Sequence, residues 1–415
     1  MARSADPYSP TLTALASLAS LAVACASRPL TFTAATYAPE PTRAVVRAPS
    51  APPREAPPAS PFEALPGWRD DAIAAVMPAW RRTCERLARA PAERPVGRER
   101  PYGTVADWRV ACASMPAEGS DDGAVRAYFE RAFVPVALTD EGNPTGLFTG
   151  YYEPLLHGAR VRSARYGVPL YARPRDLVTG ARGVGRRVRG RWVRYWTRGD
   201  IARGALRRSA QVLAWVEDGV EAFFLEIQGS GRVVFEDGRS LFLNYAGDNG
   251  HPYTAIGREL VARGAIARDA VSLQSIRAWL AAHPREAQAV MNTNASYVFF
   301  RPSEDGGSHG AEGVTLTPGR SLAVDPRYVP FGVPLFVDIE ALEGVGPIRR
   351  LVVAQDTGGA IRGAVRGDLF WGAGPEAYDR AGRMRQRGRY WMLVPRGLDA
   401  TDGAPRAATE VSSPP

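Results

Sequence analysis

The chain has 415 residues, 45% hydrophobic and 23% charged, the make-up of a folded globular protein rather than a collagen-like, low-complexity or wholly disordered chain. It is long enough for two domains plus tails. The 52 basic residues outnumber the 43 acidic ones for a net charge of +9, and with no lysine in the sequence every basic residue is an arginine. Such a surface suits an anionic polymer or a membrane surface. No nucleic-acid-binding motif accompanies it, and the arginines are scattered except between Arg182 and Arg203, which read as a solvated face.

Residues 11–24, TLTALASLASLAVA, form an apolar run too short to span a bilayer and ending in small residues, as a secretory signal does. Residues 1–26 are therefore predicted to be a signal peptide. Cleavage before Cys25, in LAVAC, would expose that cysteine for lipid attachment and give an outer-membrane lipoprotein facing the periplasm. Cleavage after Ala26 would instead give a soluble periplasmic protein. Export leaves Cys84 and Cys112 in an oxidising compartment, where two otherwise unpartnered thiols are expected to form a disulfide. Residues 27–67 are rich in Pro, Ala and Arg, bury too little apolar surface to order themselves, and read as a disordered tether.

The folded part is predicted to begin at Trp68. Ile73, Val76, Met77, Trp80, Cys84 and Leu87 recur at helical spacing and predict an amphipathic helix bent at Pro78; Val125, Tyr128, Phe129 and Phe133 predict another. From Phe148 the texture changes to short strands and turns. FTGYYEP (148–154) presents Tyr151, Tyr152 and Glu153 on an extended segment. AFFLEIQGSGRVVFEDG (222–238) alternates around Gly229 and Gly231 as a hairpin or barrel corner would. NYAGDNGHPYTAIGREL (244–260) carries a polar turn, Asp248 to Gly250, into a helix, and Leu273, Ile276, Trp279 and Leu280 continue a helical region that ends at His283 and Pro284. Residues 314–395 are strand-rich again, with PLFVDIE, IRRLVVAQD and YWMLVP the clearest strands, and residues 396–415 read as a disordered tail.

Within the last block, LVVAQDTGGAIRGAVRGDLFW (351–371) carries two carboxylates on either side of a glycine-rich turn. Asp356 stands where a buried strand breaks into Thr357, Gly358 and Gly359; Asp368 opens a second apolar run, Leu369 to Trp371. Desolvation raises a carboxyl pKa and a neighbouring charge holds two such groups apart, so the pair suits acid/base chemistry. Metal chemistry is unsupported: His157, His251, His283 and His309 lie far apart, there is no CxxC, and neither metal nor cofactor is expected. Gly306 to Gly310 matches G-x-S-x-G, but its flanks supply neither the strand nor the helix of a nucleophile elbow, and it reads as a glycine loop.

FTGYYEP, EIQGSGRV, YAGDNGHPYTAIG, NASYVFFR, SLAVDPRYVPFGVPLFVD, AQDTGGAIRGAVRGDLFWG and GPEAYDRAG occur in this order over residues 148–395. The chain thereby resembles the membrane-bound lytic murein transglycosylases of the A type, and its last part resembles the three-aspartate module, whose carboxylates fall on Asp325, Asp356 and Asp368. The resemblance implies a mainly β protein with flanking helices. A double-psi β-barrel domain would be built from residues 68–153 and 302–395, the module occupying 314–395. A second β-rich, barrel-like domain, residues 154–301, would be inserted, with a glycan groove between the two. It implies cleavage of the β-1,4 bond between N-acetylmuramic acid and N-acetylglucosamine in peptidoglycan, leaving a 1,6-anhydro end. Asp368 falls on the family's acid/base position and Asp356 becomes a supporting carboxylate. Tyr151, Tyr152, Gln228, Ser230, Asp248, Asn249, Asp325 and Trp371 are the candidate glycan contacts, and the protein is expected to act as a monomer without a nucleic-acid partner. Two other readings stay open: a hydrolase using Asp356 and Asp368 as paired carboxylates, and a wall-binding protein without turnover.

Overall fold

The computed structural model describes residues 59–97, 102–303 and 306–398; the expected signal peptide, Cys25 and most of the expected tether lie outside them. The end of the expected tether belongs to the fold. Ala59 bridges to Val136, and Phe62 and Leu65, at the end of the expected tether, are buried in the core that also holds Trp68. Phe62 and Leu65 thus anchor the last residues of the Pro-rich stretch to the core.

Three helices precede the sheet: α1 (Met77–Arg89), α2 (Val105–Ala113) and α3 (Asp122–Ala132). The expected kink at Pro78 is absent, because Pro78 sits in the first turn of α1, where its missing N–H costs no hydrogen bond, and Ile73–Val76 forms a separate 3₁₀ turn. The predicted stripe from Ile73 to Leu87 is buried. Cys84 of α1 and Cys112 of α2 are joined in a disulfide, Cα to Cα 5.6 Å. Asp121 caps α3, its side chain accepting from the Ala124 N–H at 2.8 Å. A buried bidentate pair, Arg320 with Asp71 (both contacts 2.8–2.9 Å), fastens this N-terminal layer to the sheet, where Asp71 also accepts from the Leu351 N–H.

Strands β1 (Phe133–Ala137) and β2 (Gly146–Glu153) come next. There follow β3 (Leu155–Ala159), β4 (Val168–Tyr171), β5 (Val178–Gly180), β6 (Gly183–Val188), β7 (Arg191–Arg194), α4 (Arg198–Ala202), β8 (Val212–Val216), α5 (Gly219–Gln228), β9 (Ser230–Phe235) and β10 (Ser240–Asp248). Helices α6 (Ile256–Ala262), α7 (Leu273–Ala282) and α8 (Pro284–Asn292) lead to β11 (Val298–Pro302). The chain ends with β12 (Ser321–Ala323), β13 (Pro334–Leu342), β14 (Gly346–Asp356), β15 (Arg366–Ala373), α9 (Pro375–Arg383) and β16 (Arg385–Pro395).

Six of these close a barrel. β16 pairs with β13, β13 with β14, β14 in parallel with β12, β12 with β15, β15 in parallel with β2, and β2 back with β16, while β1 lies outside on β16. The barrel thus draws one strand from before the inserted segment and five from after it. Between them, β11-β10-β9-β3-β8-β4 form a second sheet whose edges meet at an Ala172–Phe300 bridge around Leu156, Val216, Val233, Leu243 and Phe300. A third sheet, β5-β6-β7, is attached to this inserted lobe.

One element departs from expectation. Residues 219–228, the first arm of the expected hairpin, are helical: Asp218 caps α5 through the Val220 N–H at 2.6 Å, and Gly229, at φ +78°, ends it in the left-handed conformation. AFFLE buries apolar side chains on nearly every position, so alternation could not separate a buried helix from a strand.

Candidate active site

The barrel's pairing decides where the two carboxylates go. Across four neighbouring strands the register aligns Thr149 (β2), Asp368 (β15), Ala323 (β12) and Asp356 (β14) in one row. Residues in such a row share a face, and two strand spacings separate the aspartates by roughly 10 Å between Cα atoms. Ala323 stands between them, itself buried in a small apolar cluster with Tyr151, Leu316, Ile361 and Phe370. The next residues along β12 and β15, Leu322 and Leu369, are fully buried on the opposite face, in the barrel core. Both aspartates are half-buried.

Burial is the largest influence on Asp368 and raises its pKa above the ordinary carboxyl value. Two neighbours oppose it: the charge on Arg366, and the Thr149 hydroxyl, which donates to Asp368 Oδ1 at 2.6 Å. Arg366 is tied in turn to Thr149, its Nη2 donating to Oγ1 at 2.8 Å. Asp356 is pushed up to about 6, again first by burial. The backbone N–H groups of Ala311 and Thr357, each 2.9 Å from Oδ1, and the Tyr151 hydroxyl pull the other way, while the charge on Asp368 adds to the rise. Tyr151 packs against Phe370 with its ring tilted by 46°, centroids 5.2 Å apart, and burial together with both aspartates keeps its phenol protonated.

The inserted lobe reaches this row through Tyr253, 38% exposed. After burial, with Arg198 and Arg258 opposing, the charge of Asp368 contributes to raising its pKa, and its Cβ lies 3.4 Å from where a side chain on Gly359 would begin.

The expected glycan contacts divide into two groups. Tyr151, 6% exposed, is buried beneath the row; Asp248, half-buried, holds the turn before Tyr253 by accepting from the Gly250 N–H (2.7 Å) and the Tyr245 hydroxyl (2.5 Å); Gln228, half-buried, accepts from the Tyr152 N–H at 3.1 Å, across the seam between lobes. The rest are placed as framework. Tyr152 is 5% exposed, its hydroxyl accepting from Arg277 and its ring edge-on to Tyr378. Trp371 is 9% exposed because it falls on the core-facing side of β15, beneath Gly150. Ser230 is buried opposite Asn244. Asn249, 1% exposed, donates to the carbonyls of Trp196 and Ala295 and accepts from the Tyr297 N–H, which uses up its amide. Asp325, also 1% exposed, is held below the ordinary range: burial would raise it, but hydrogen bonds from Arg327 and the Gly363 N–H outweigh that, and it pins the loop after the glycine turn. These placements share one cause: strand faces and saturated hydrogen bonds depend on pairing, which residue type does not reveal.

Thr149, Arg366, Tyr253 and Ala311 were missed. Arg366 was open to recognition, standing two residues before Asp368 on one strand face. Thr149 required the parallel β2–β15 pairing, and Tyr253 and Ala311 the packing of distant loops. Ser308, of the G-x-S-x-G stretch, is buried and donates to Glu153 at 2.8 Å, whose other oxygen takes Arg232, so it is no exposed nucleophile. Among the described residues there is no His/Cys/Asp/Glu cluster fit for a metal ion.

Residues 147–301 match the family model described as the MltA specific insert domain, and residues 320–394 match the 3D domain. The chain is 33% identical over 299 residues to the membrane-bound lytic murein transglycosylase A of Escherichia coli (strain K12), covering 70% of this chain and 75% of that protein. It belongs to the membrane-bound lytic murein transglycosylase A family. A crystal structure of a membrane-bound lytic murein transglycosylase from Agrobacterium tumefaciens matches 81% of this chain and 97% of its own, with 33% identity and a TM-score of 0.75. The structure of E. coli MltA with bound chitohexaose matches 69% of this chain and 82% of its own, with 31% identity and a TM-score of 0.56. The insert match runs from β2 to β11 and so takes in one barrel strand, while the 3D match covers β12–β16.

Proposed function

We propose that the chain is a lytic transglycosylase that cuts murein between N-acetylmuramic acid and N-acetylglucosamine, with Asp368 as its single acid/base. The observation that carries this is Asp368 itself: desolvated, held by Thr149, on the barrel face that Tyr253 of the inserted lobe overlooks. Protonated Asp368 gives its proton to the leaving O4 as the C1–O4 bond breaks. The C6 hydroxyl of the muramic residue forms the new C1–O6 bond, and its proton passes to the Asp368 carboxylate, so no water is consumed. Asp356 acts as the supporting carboxylate beyond Ala323. The glycan lies between the lobes, against Tyr253, Gln228 and Asp248. Relatives are named membrane-bound, which supports a periplasmic enzyme attached to the membrane, and Cys25 is the residue for a lipid anchor.

The test is mass spectrometry of the fragments released from isolated sacculi by the wild type and by Asp368→Asn. Disaccharide products one water short of the hydrolytic mass are expected, with the variant slower by about a thousandfold and unchanged in thermal midpoint. Reducing-end products would replace this reading with the paired-carboxylate hydrolase; pelleting with sacculi without any product would replace it with a wall-binding protein.

A further inference from the structure

Between Arg182 and Arg194 the chain places six arginines, and from residue 177 to 199 it has no carboxylate. The fold turns this stretch into an antiparallel ribbon, β5-β6-β7. The side chains of Arg182, Arg189, Arg191 and Arg194 are exposed and have neither ion-pair nor hydrogen-bond partner among the described residues. Trp192 covers Gly185, where an added Cβ would meet its indole at 2.5 Å, and it faces Arg187 directly across the β6–β7 ladder. The ribbon therefore presents a half-buried aromatic among cations.

Two further observations give it a direction. The β6–β7 connection is a two-residue turn with positive φ at both positions, Arg189 at +48° and Gly190 at +80°. Asn, Asp or Gly is the low-strain choice at the first of these, and an arginine is kept at the tip instead. The ribbon is also joined to the site: Val184 packs on the Asp248–Gly250 turn, 2.5 Å from where a Gly250 side chain would begin, and Tyr253 follows three residues later beside the aspartate row.

We propose that this ribbon is a second polymer-binding surface that takes the carboxylates of the peptide stems borne by the murein strand in the neighbouring groove. The inference rests on murein being the polymer. Stem-free glycan keeps one lactyl carboxylate per disaccharide, held close to the sugar ring, whereas a stem-bearing strand offers several carboxylates per repeat that reach outward from it, so charge complementarity favours the stems. The contribution is to binding, screened by salt.

The experiment uses the full chain and its Arg189→Gln/Arg191→Gln/Arg194→Gln variant, with thermal midpoints compared first. Binding is measured by pelleting with intact sacculi, by fluorescence anisotropy with the soluble glycan strands that an amidase frees of their stems, and by pelleting with phosphatidylglycerol vesicles. The variant is expected to bind intact sacculi about tenfold more weakly, the combined effect of three exposed ion pairs, and stem-free strands as the wild type does; raised salt should bring the wild type down to the variant on sacculi. Equal weakening on sacculi and stem-free strands, weakening on neither, or a loss confined to the vesicles would overturn the proposal, the last making the ribbon a membrane-facing surface. Pelleting needs no turnover, so a failure of the lytic reading would show separately, as wild-type protein that binds sacculi without releasing anhydro fragments.

Discussion

Thr149→Val tests how the acid is poised. The substitution removes the hydroxyl that donates to Asp368 Oδ1 at 2.6 Å and leaves a side chain of nearly the same shape. That hydrogen bond favours the ionised carboxyl, so its loss must raise the proton affinity of Asp368 further in the direction burial has already taken it. A hydrogen bond to a charged group contributes about 1.5–3 kcal/mol, and at about 1.4 kcal/mol per pKa unit the expected rise is roughly one to two units. Arg366 loses one acceptor but keeps the carbonyls of Leu147 and Gly367. If the free enzyme must hold Asp368 protonated, kcat/KM falls on the alkaline side as that proton leaves, and the variant's alkaline limb should move up by one to two pH units. Thr149→Ser, which keeps the hydroxyl, should leave it in place. Muropeptide release measured from pH 4 to 10 reads both. An alkaline limb that stays put or moves down in Thr149→Val would refute the assignment of Asp368 as the titrating acid.

Other consequences follow from groups around the row. Glu312 is buried, and burial pushes its carboxyl up to about 7 despite Arg86, Thr83 and Gln355. A folded pKa above the unfolded one gives stability that is complete below about pH 4 and is lost as pH rises through 7. Glu312→Gln should therefore gain up to about 3 kcal/mol on the wild type between pH 4 and pH 8 in urea titrations; parallel pH profiles would contradict this. The Cys84–Cys112 bridge spans 28 residues, so replacing both cysteines by serine should cost about 3.5 kcal/mol on the loop-entropy relation and lower the thermal midpoint by about 5 °C, with kcat unaffected. An unchanged midpoint would show that this loop is constrained without the bridge. Gly310→Ala would set a Cβ 2.2 Å from the Gln355 carbonyl oxygen, and since neither backbone can yield cheaply the Ala311 N–H should be displaced from Asp356. Loss of both stability and activity is expected; a variant as stable and as active as the wild type would show that the loop can relax.

The sequence by itself determined the carriers of local structure and chemistry. The stripe from Ile73 to Leu87, the strands around Phe336, Val352 and Met392, the aspartates on either side of a glycine turn, and seven ordered motifs were all legible. Each depends on neighbours within a few residues or on residue identity alone. Tertiary structure decided which face each residue occupies and what it touches. Trp371 and Tyr152 look like sugar platforms in the sequence but are buried by the barrel's register, and Asn249 and Asp325 have their polar atoms satisfied by segments far away in the chain. Thr149 reaches Asp368 only because β2 pairs in parallel with β15, 219 residues on. Strand periodicity tells which residues alternate, but the partner strand and its register are set by closing the barrel across an inserted lobe, and that closure has no local signature in the chain.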